Sequence, residues 1–205
     1  TEEERIGYYR KVLAGLAEMQ VKTAADLPFC SYLRGRSFGY EALRWETDYF
    51  TECFLKKFCG FGIENDEDLL DREFHVLAET LSREPRFFMH RDFQSQNIMI
   101  GRGGILRVLD YQGARIGPPA YDVASVLWDP YYRLDETLRE QLLHHYIMRM
   151  AGRAQWFNEQ VFRESLLPCR LQRHMQALGA YGFLSRVKGK KYFLRYIPEG
   201  LRLLR

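Results

Sequence analysis

Three side chains in the middle of the chain could carry acid–base and metal chemistry. Asn97 comes five positions after Asp92, and Asp110 comes eighteen positions after Asp92. A carboxylate such as that of Asp92 can accept the proton of an attacking hydroxyl group. The amide oxygen of Asn97 and the carboxylate of Asp110 are oxygen ligands of the kind that Mg²⁺ prefers. The stretch from Phe88 to Asp110 therefore predicts a base beside a magnesium site.

The elements that must position these side chains are a loop and a β-hairpin. The predicted pieces are an apolar strand at 87–89, a second strand at 97–100, a glycine-rich turn at 101–104 and a returning strand at 105–109. Antiparallel pairing of the last two strands brings Asn97 and Asp110 to the same end of the hairpin. One cation could then contact both side chains.

The spacing also matches a known constellation. His90, Arg91 and Asp92 followed by Asn97 fit the H-R-D-x-x-x-x-N catalytic loop of kinase-type phosphoryl transfer. From Phe88 to Tyr131 the chain resembles the C-terminal lobe of the aminoglycoside phosphotransferase (APH-like) kinases, and within them the N-acetylmuramate/N-acetylglucosamine anomeric kinases. Looser similarity covers most of the chain. The resemblance implies an α+β, protein-kinase-like C-terminal lobe over residues 1–205, mostly helical, with a small β-hairpin that carries the catalytic loop.

The resemblance also implies roles for individual residues. Asp92 is expected to be the catalytic base, with Asn97 and Asp110 binding Mg²⁺ and the phosphates of ATP. His90 and Arg91 are expected to hold the loop in place, and His90 is expected to pack and form hydrogen bonds without transferring protons. In this family the aspartate of a Y-D-x-A-S motif bonds the backbone of the catalytic loop, which assigns Asp122 to that position. A simpler and compatible interpretation is a carboxylate at the start of a helix.

The nucleotide-binding elements of such kinases are not found in the sequence. No G-x-G-x-x-G loop followed by a lysine-bearing strand occurs, and a helix is predicted to begin at once with a capping box from Thr1 to Glu4. We therefore expect the N-terminal nucleotide lobe to be absent from this chain and the isolated lobe to be inactive.

The acceptor is expected to be a small molecule. Tyr121 follows Asp110 by eleven positions, and no A-P-E tripeptide occurs after it, so an activation segment for a peptide substrate does not fit. Tyr111 and Gln112 stand where protein kinases have Phe-Gly. We expect a sugar-like acceptor, an amino sugar in particular, because the C-terminal helices are rich in arginine.

Five residues are candidates for contacts with that acceptor. Gln94 lies inside the loop, where the family often has histidine, and Gln112 follows Asp110 closely. Trp45, Glu46 and Tyr49 belong to a helix predicted from Tyr40 to Phe58, in a region that contributes to the substrate cleft of the family. For these three the alternative is structural: Trp45 and Tyr49 in the core and Glu46 in solvent.

Two other functions remain open at this point. An aminoglycoside kinase or an amino-alcohol (choline-like) kinase would require an acidic wall near Asp92, to bind a cationic acceptor. A kinase-derived binding module without catalysis would explain the missing nucleotide lobe, although the intact set of Asp92, Asn97 and Asp110 argues against it.

Composition excludes several other classes. The net charge of +3 comes from interspersed acidic and basic residues, which does not indicate nucleic acid. The cysteines form no C-x-x-C pair, so a zinc site is not expected. No apolar run suggests a membrane span or a signal peptide, and the cytoplasm is the expected location. A nucleotide and a sugar-like molecule are the expected partners, and the oligomeric state is left open.

The remaining chain is predicted to be mostly helical. Helices are predicted at 65–82, from Asp135 and from Trp156 to Arg186 with a break near Pro168, after a connecting segment at 23–39 that contains Pro28. The last helix is expected to have a solvated basic face, with a contact to an anionic substrate group as the alternative; the residues are Arg170, Arg173, His174 and Arg186. His75 is expected to be bound to a partner or to lie at the surface, and His144 and His145 are expected to be structural or exposed.

Overall fold

The computed structural model describes residues 1–26 and 29–205. The helices are α1 (Glu2–Asp26), α2 (Tyr40–Phe50), α3 (Glu67–Ser82), α4 (Pro119–Leu127), α5 (Glu136–Ala151), α6 (Glu159–Arg186) and α7 (Ile197–Leu204). The strands are β1 (Phe87–Met89), β2 (Ile98–Ile100), β3 (Leu106–Val108) and β4 (Arg115–Gly117). A π-helical segment, Thr51–Cys59, continues α2, and short 3₁₀ turns precede several strands. The chain divides into two compact units, residues 1–37 with 85–166 and residues 38–84 with 167–205.

Helix α1 frames the first unit. The Thr1 hydroxyl accepts a hydrogen bond from the backbone N–H of Glu4 at 3.2 Å, which is the predicted capping box. The helix continues to Asp26, beyond the predicted end near Gln20, while Pro28 of the predicted connecting segment lies outside the described residues. Its fully buried Gln20 accepts from the hydroxyl of Tyr146 at 2.5 Å and donates to the carbonyl of Pro119. The helix is thereby tied to α4 and α5.

Two separate pairs of short antiparallel strands carry the loops of this unit. Strands β2 and β3 form the predicted hairpin, in which Met99 faces Arg107. Strand β1 pairs with β4, in which Ile116 faces Phe88. Strand β4 was not predicted, because its sequence Arg115-Ile116-Gly117 has a single apolar side chain and ends in glycine, unlike the apolar run of β1. Helix α4 follows β4 directly, and all of its residues are buried.

The second unit contains α2, α3, most of α6 and α7. Gly179 and Gly182 of α6 allow close helix packing. A Cβ at Gly182 would lie 2.5 Å from the carbonyl oxygen of Cys53, and a Cβ at Gly179 would lie 2.8 Å from the ring of Tyr49. The helix does not break at Pro168, which lies inside it. A break was predicted there because proline removes a backbone donor. His75 accepts or donates through Nδ1 to the hydroxyl of Tyr40 at 2.8 Å.

Two kinds of feature are absent from the described residues. No helix within 1–26 and 29–205 has the length and apolar character needed to cross a membrane. The same residues contain no group of three or more His, Cys, Asp or Glu side chains that could bind a metal ion.

Candidate active site

The loop between β1 and β2 is held at its start by a buried carboxylate. Asp122, on the first turn of α4, accepts the backbone N–H of His90 at 2.7 Å and that of Arg91 at 2.9 Å. Arg91 has a φ of 76°, a left-handed conformation that costs a non-glycine residue roughly 1–2 kcal/mol. The two bonds to Asp122 stabilise that conformation. They are the contacts that a loop-positioning role for Asp122 requires.

A second carboxylate holds the other half of the loop. Asp129, just after α4, is 1% exposed and accepts the backbone N–H of Ser95 at 2.7 Å and that of Tyr131 at 2.9 Å. No role for Asp129 was predicted from the sequence. An ionisable residue directly after a mostly apolar helix is a signal that could have identified it, because such a residue is buried only when its oxygens are hydrogen-bonded.

Asn97 is oriented by the loop itself. Its side-chain amide nitrogen donates to the backbone carbonyl of Asp92 at 3.0 Å, so the amide oxygen is the atom left to bind a cation. The backbone N–H of Leu109 donates to the carbonyl of Asn97 at 2.8 Å. Asp110 therefore lies directly after the paired end of the hairpin, next to Asn97, as the predicted pairing requires.

Asp110 is an exposed carboxylate in a constrained backbone. Its φ of 67° is left-handed, and one carboxylate oxygen accepts from the side-chain amide of Gln112 at 2.7 Å. The carbonyl of Gln112 in turn accepts from the hydroxyl of Tyr32 at 2.7 Å. Gln112 was predicted as a contact of the acceptor, whereas in this structure its amide is bound to Asp110. The contact with the acceptor stays a prediction.

Asp92 is half-buried, between the backbone N–H groups that are bonded to Asp122 and the one that is bonded to Asp129. Its backbone carbonyl accepts from the N–H of Gln94 at 2.9 Å as well as from Asn97, which turns the chain tightly behind the carboxylate. Gln94 is half-buried in the same turn. A carboxylate on so well-braced a loop can receive a proton at a fixed point, which is the geometric condition for a general base.

His90 packs beneath the loop. Its ring is 1% exposed and meets Phe93 edge-on, with ring centroids 5.8 Å apart. Burial lowers the pKa of His90, and the charges of Asp92 and Asp110 and the nearby carbonyl of Leu109 oppose this effect. Among the described residues neither ring nitrogen forms a hydrogen bond of ordinary geometry. The hydrogen bond expected of His90 is thus made by its backbone, to Asp122, and not by its ring.

Two of the three helical candidates in the second unit are aromatic. Trp45 is 56% exposed and stacks on half-buried Tyr49, with ring centroids 5.2 Å apart and planes at 8°. Burial, and to a lesser extent Cys53, raises the pKa of Tyr49 to about 12. The alternative that placed Trp45 in the core is wrong. The pair forms an aromatic surface on this unit.

Glu46 differs from the alternative expected for it. It is fully buried, and its carboxylate accepts from the side-chain amide of Gln172 at 3.1 Å, while the same amide nitrogen donates to the carbonyl of Leu43 at 2.9 Å. The interpretation of Glu46 as a solvated residue is therefore wrong. Its contacts bind α2 to α6, and they do not support the predicted contact with an acceptor.

The expectation of a solvated basic face on α6 is also wrong. Arg173 and His174 are buried and Arg170 is half-buried, while Arg186 is exposed and donates to the carbonyl of Phe58. His174 contacts the carbonyl of Arg170 through Nδ1 at 2.5 Å. Only the last arginine of the group behaves as a surface residue.

A nucleotide-bound magnesium ion fits the donors at the end of the hairpin. Mg²⁺ on nucleotide phosphates takes one or two protein oxygens at roughly 2.1 Å and completes its coordination with phosphate and water. Asp110 and Asn97 offer one carboxylate and one amide oxygen, adjacent and accessible from solvent. The donor set therefore suits an ion that arrives with a nucleotide better than a closed protein site.

Comparisons of the sequence agree with this chemistry. A model described as the phosphotransferase enzyme family matches residues 1–157. An N-acetylmuramate/N-acetylglucosamine kinase of Neisseria meningitidis is 31% identical over 170 residues, which are 80% of this chain and 50% of that protein. A protein of the same name from Pseudomonas aeruginosa is 28% identical over 197 residues, 92% of this chain and 54% of its own. The chain thus spans about half the length of the curated relatives it matches.

Comparisons of the fold confirm the predicted class. A choline kinase from Cryptosporidium parvum gives a TM-score of 0.60 at 14% identity, covering 97% of this chain and 66% of its own. An ethanolamine kinase from Plasmodium vivax gives 0.53 at 16% identity, covering 80% and 49%. Both have the protein-kinase-like fold, so the mostly helical chain with its small antiparallel strands has the fold of the C-terminal lobe of that class.

Proposed function

Because the chain belongs to the phosphotransferase enzyme family, we propose that the complete protein transfers the γ-phosphoryl group of ATP to a hydroxyl group of a small sugar-like acceptor. The proposed acceptor is an amino sugar such as N-acetylmuramate or N-acetylglucosamine. The family defines the reaction class, and the named relatives at 31% and 28% identity support the acceptor.

The observation that carries the proposal is the convergence of three side chains on one braced loop and hairpin. Asp92 lies on a loop whose start is bonded to Asp122, and Asn97 is turned by its bond to the Asp92 carbonyl. Asp110 follows Leu109, whose N–H binds the carbonyl of Asn97. Phosphoryl transfer has a loose transition state, so accurate positioning and charge neutralisation provide most of the rate enhancement.

Each of the three has a separate part in the reaction. Asp92 orients the acceptor hydroxyl and takes its proton as the new P–O bond forms, while the bond from the γ-phosphorus to the bridging oxygen breaks and ADP leaves. Asn97 and Asp110 would hold Mg²⁺, which neutralises the charge of the phosphates when it is bound. Gln112, now bound to Asp110, would turn away from or share that carboxylate when the nucleotide enters.

Local structure after Asp110 supports a small acceptor. Residues 111–113 form a 3₁₀ turn, β4 follows at once, and α4 begins at Pro119. That connection has no segment of the length on which protein kinases bind a peptide. On the other unit, the stacked pair of Trp45 and Tyr49 has the planar apolar surface against which sugar rings pack, and its role in binding the acceptor is part of this proposal.

The test is a phosphorylation assay with the complete gene product. The protein is incubated with ATP and Mg²⁺ and with N-acetylmuramate, N-acetylglucosamine, choline, ethanolamine or an aminoglycoside, and ADP release and the phosphorylated product are measured. Turnover of the amino sugars, abolished in Asp92→Asn, is expected. Turnover of choline or ethanolamine alone would replace the acceptor and keep the reaction. No turnover of any acceptor by the folded protein would refute the proposed activity and favour a binding module.

A further inference from the structure

Both oxygens of the Asp129 carboxylate accept backbone N–H groups. One oxygen accepts the N–H of Ser95 and the other accepts the N–H of Tyr131, at 2.7 and 2.9 Å. Burying an ionised carboxylate costs several kcal/mol unless its oxygens are hydrogen-bonded. At 1% exposure, Asp129 is therefore stable only while its hydrogen bonds are formed, and these bonds hold the two N–H groups in a defined geometry.

The partner that matters is Ser95, because it begins the 3₁₀ turn Ser95–Asn97. The carbonyl of Ser95 accepts from the N–H of Ile98 and closes this turn, and Asn97 is its last residue. The direction of the Asn97 side chain therefore depends on where Ser95 is held. Local bonds to the carbonyls of Asp92 and Gln94 also orient Asn97, and Asp129, 34 positions further along the chain, adds a constraint from outside the loop.

Helix α1 contributes Tyr9 to this region. The pKa of Tyr9 is raised, chiefly by burial and next by the negative charge of Asp129. Tyr9 and Ser95 also line the same small apolar cavity of about 130 Å³, with Ile98 at its wall. The 3₁₀ turn therefore lies beside an apolar cavity, and the hydrogen bond from the N–H of Ser95 to Asp129 is one of the directional contacts that fix it.

We propose that Asp129 is a positioning residue that acts through the N–H of Ser95 to hold Asn97 in the orientation that binds the metal–nucleotide complex. This inference rests on the proposed function. It assigns the two aspartates of the α4 region to different ends of one loop. Asp122 fixes the backbone immediately before Asp92, and Asp129 fixes the turn that carries Asn97.

The two positions therefore predict different kinetic effects. Loss of the bond at Ser95 leaves the base in place and disturbs a metal ligand, so the Mg²⁺ concentration for half-maximal activity should rise. Loss of a residue that orients a metal ligand typically costs 10–100-fold in metal affinity or activity, and an increase of about tenfold is expected for a weakened bond. The kcat at saturating Mg²⁺ should fall less than threefold.

The hydrogen bond can be removed from either partner. Asp129→Asn keeps one acceptor oxygen and the shape of the side chain. Ser95→Pro removes the donor and leaves Asp129 untouched, and Gln94 already has the extended backbone, φ −119° and ψ 164°, that a following proline requires. Ser95→Ala is the matched control, because it removes the hydroxyl group and keeps the N–H. If one bond is responsible, the double variant Asp129→Asn/Ser95→Pro should be no worse than the stronger single variant.

The experiment measures Mg²⁺ and ATP dependence of the complete gene product together with hydrogen exchange of the loop. Asp135→Ala serves as a stability control, since Asp135 also accepts two backbone N–H groups but caps α5. We expect the half-maximal Mg²⁺ concentration to rise in Asp129→Asn and in Ser95→Pro. Hydrogen exchange should be faster in peptides covering residues 93–97 of Asp129→Asn. Ser95→Ala and Asp135→Ala should give wild-type values in both measurements.

Two results would overturn the inference. One is a folded Asp129→Asn or Ser95→Pro protein with wild-type Mg²⁺ dependence. The other is a loss confined to kcat, equal in size to the loss in Asp135→Ala, which would mean a general effect on stability. An inactive wild-type protein would instead refute the proposed function. Faster exchange at 93–97 would then still establish Asp129 as the brace of the turn, and unchanged exchange would remove that role as well.

Discussion

The bonds from Asp122 to the start of the loop make a quantitative prediction. Asp122 is fully buried and accepts two backbone N–H groups, at 2.7 and 2.9 Å. Asp122→Asn keeps the size of the side chain but replaces one acceptor oxygen by a donor. One of the two N–H groups must then face an NH₂ group and lose its partner, whereas Asp122→Ala leaves both donors without a partner.

The magnitude follows from the number of bonds. A hydrogen bond to a charged group contributes about 1.5–3 kcal/mol, so Asp122→Asn should lower the free energy of unfolding by about 2 kcal/mol and Asp122→Ala by about 4 kcal/mol. For a chain of this size 1 kcal/mol corresponds to about 2–4 °C in Tm, giving about 4–8 °C for the asparagine variant. The strained backbone of Arg91 loses its support at the same time, so the loop should change conformation as well.

Differential scanning calorimetry and steady-state kinetics test this reasoning. Asp135→Ala is the control, since loss of an exposed helix cap should cost only about 1 kcal/mol. At temperatures below the melting transition, the kcat of Asp122→Asn should be at least tenfold lower than that of the wild type, with the half-maximal Mg²⁺ concentration nearly unchanged. A variant that melts like Asp135→Ala and keeps wild-type kcat would refute the claim that Asp122 holds the loop.

Three further predictions concern the proposed site and the stability of the fold. Asp92→Asn should lower kcat at least a hundredfold with little change in ATP binding, whereas Asp110→Asn should mainly weaken Mg²⁺–ATP binding; equal effects on both parameters in both variants would contradict these roles. Trp45→Ala should raise the KM for the amino sugar about tenfold and leave that for ATP unchanged, which acceptor titrations would measure. Burial lowers the pKa of His90, so its contribution to stability is complete above about pH 6.5, the pKa in the unfolded chain, and is lost as the pH falls through the lower folded pKa. In urea unfolding, the free energy of unfolding should fall by up to about 1.4 kcal/mol per pH unit between these two pKa values, and His90→Gln should reduce this slope.

The loop and hairpin could be predicted because their constraints are local. Asn97 follows Asp92 by one tight turn, and the glycine-rich turn before β3 fixes the register that brings Asp110 next to Asn97. The capping residue Asp135 was predicted for the same reason, since its partners are Thr137 and Leu138. Spacing within a few residues determines all of these contacts.

Burial of polar residues was harder to predict, although one case was within reach. Glu46 is three positions after Leu43 and four before Phe50, so it shares the buried face of α2 with both. Its charge suggested an exposed position, and only the partner Gln172, on a helix far along the chain, explains its burial. Arg173 and His174 were misjudged in the same way, because the packing of α6 is not visible in its own sequence.

The burial of α4 has a consequence for how the site comes into being. The bonds from Asp122 and Asp129 reach back 31–34 positions, so the loop receives its shape from chain that is made later. During synthesis on the ribosome, strand β1 and the H-R-D triplet would emerge before the helix that shapes them. The reactive geometry is therefore a late product of folding, and a nascent chain that stops before α4 could not possess it.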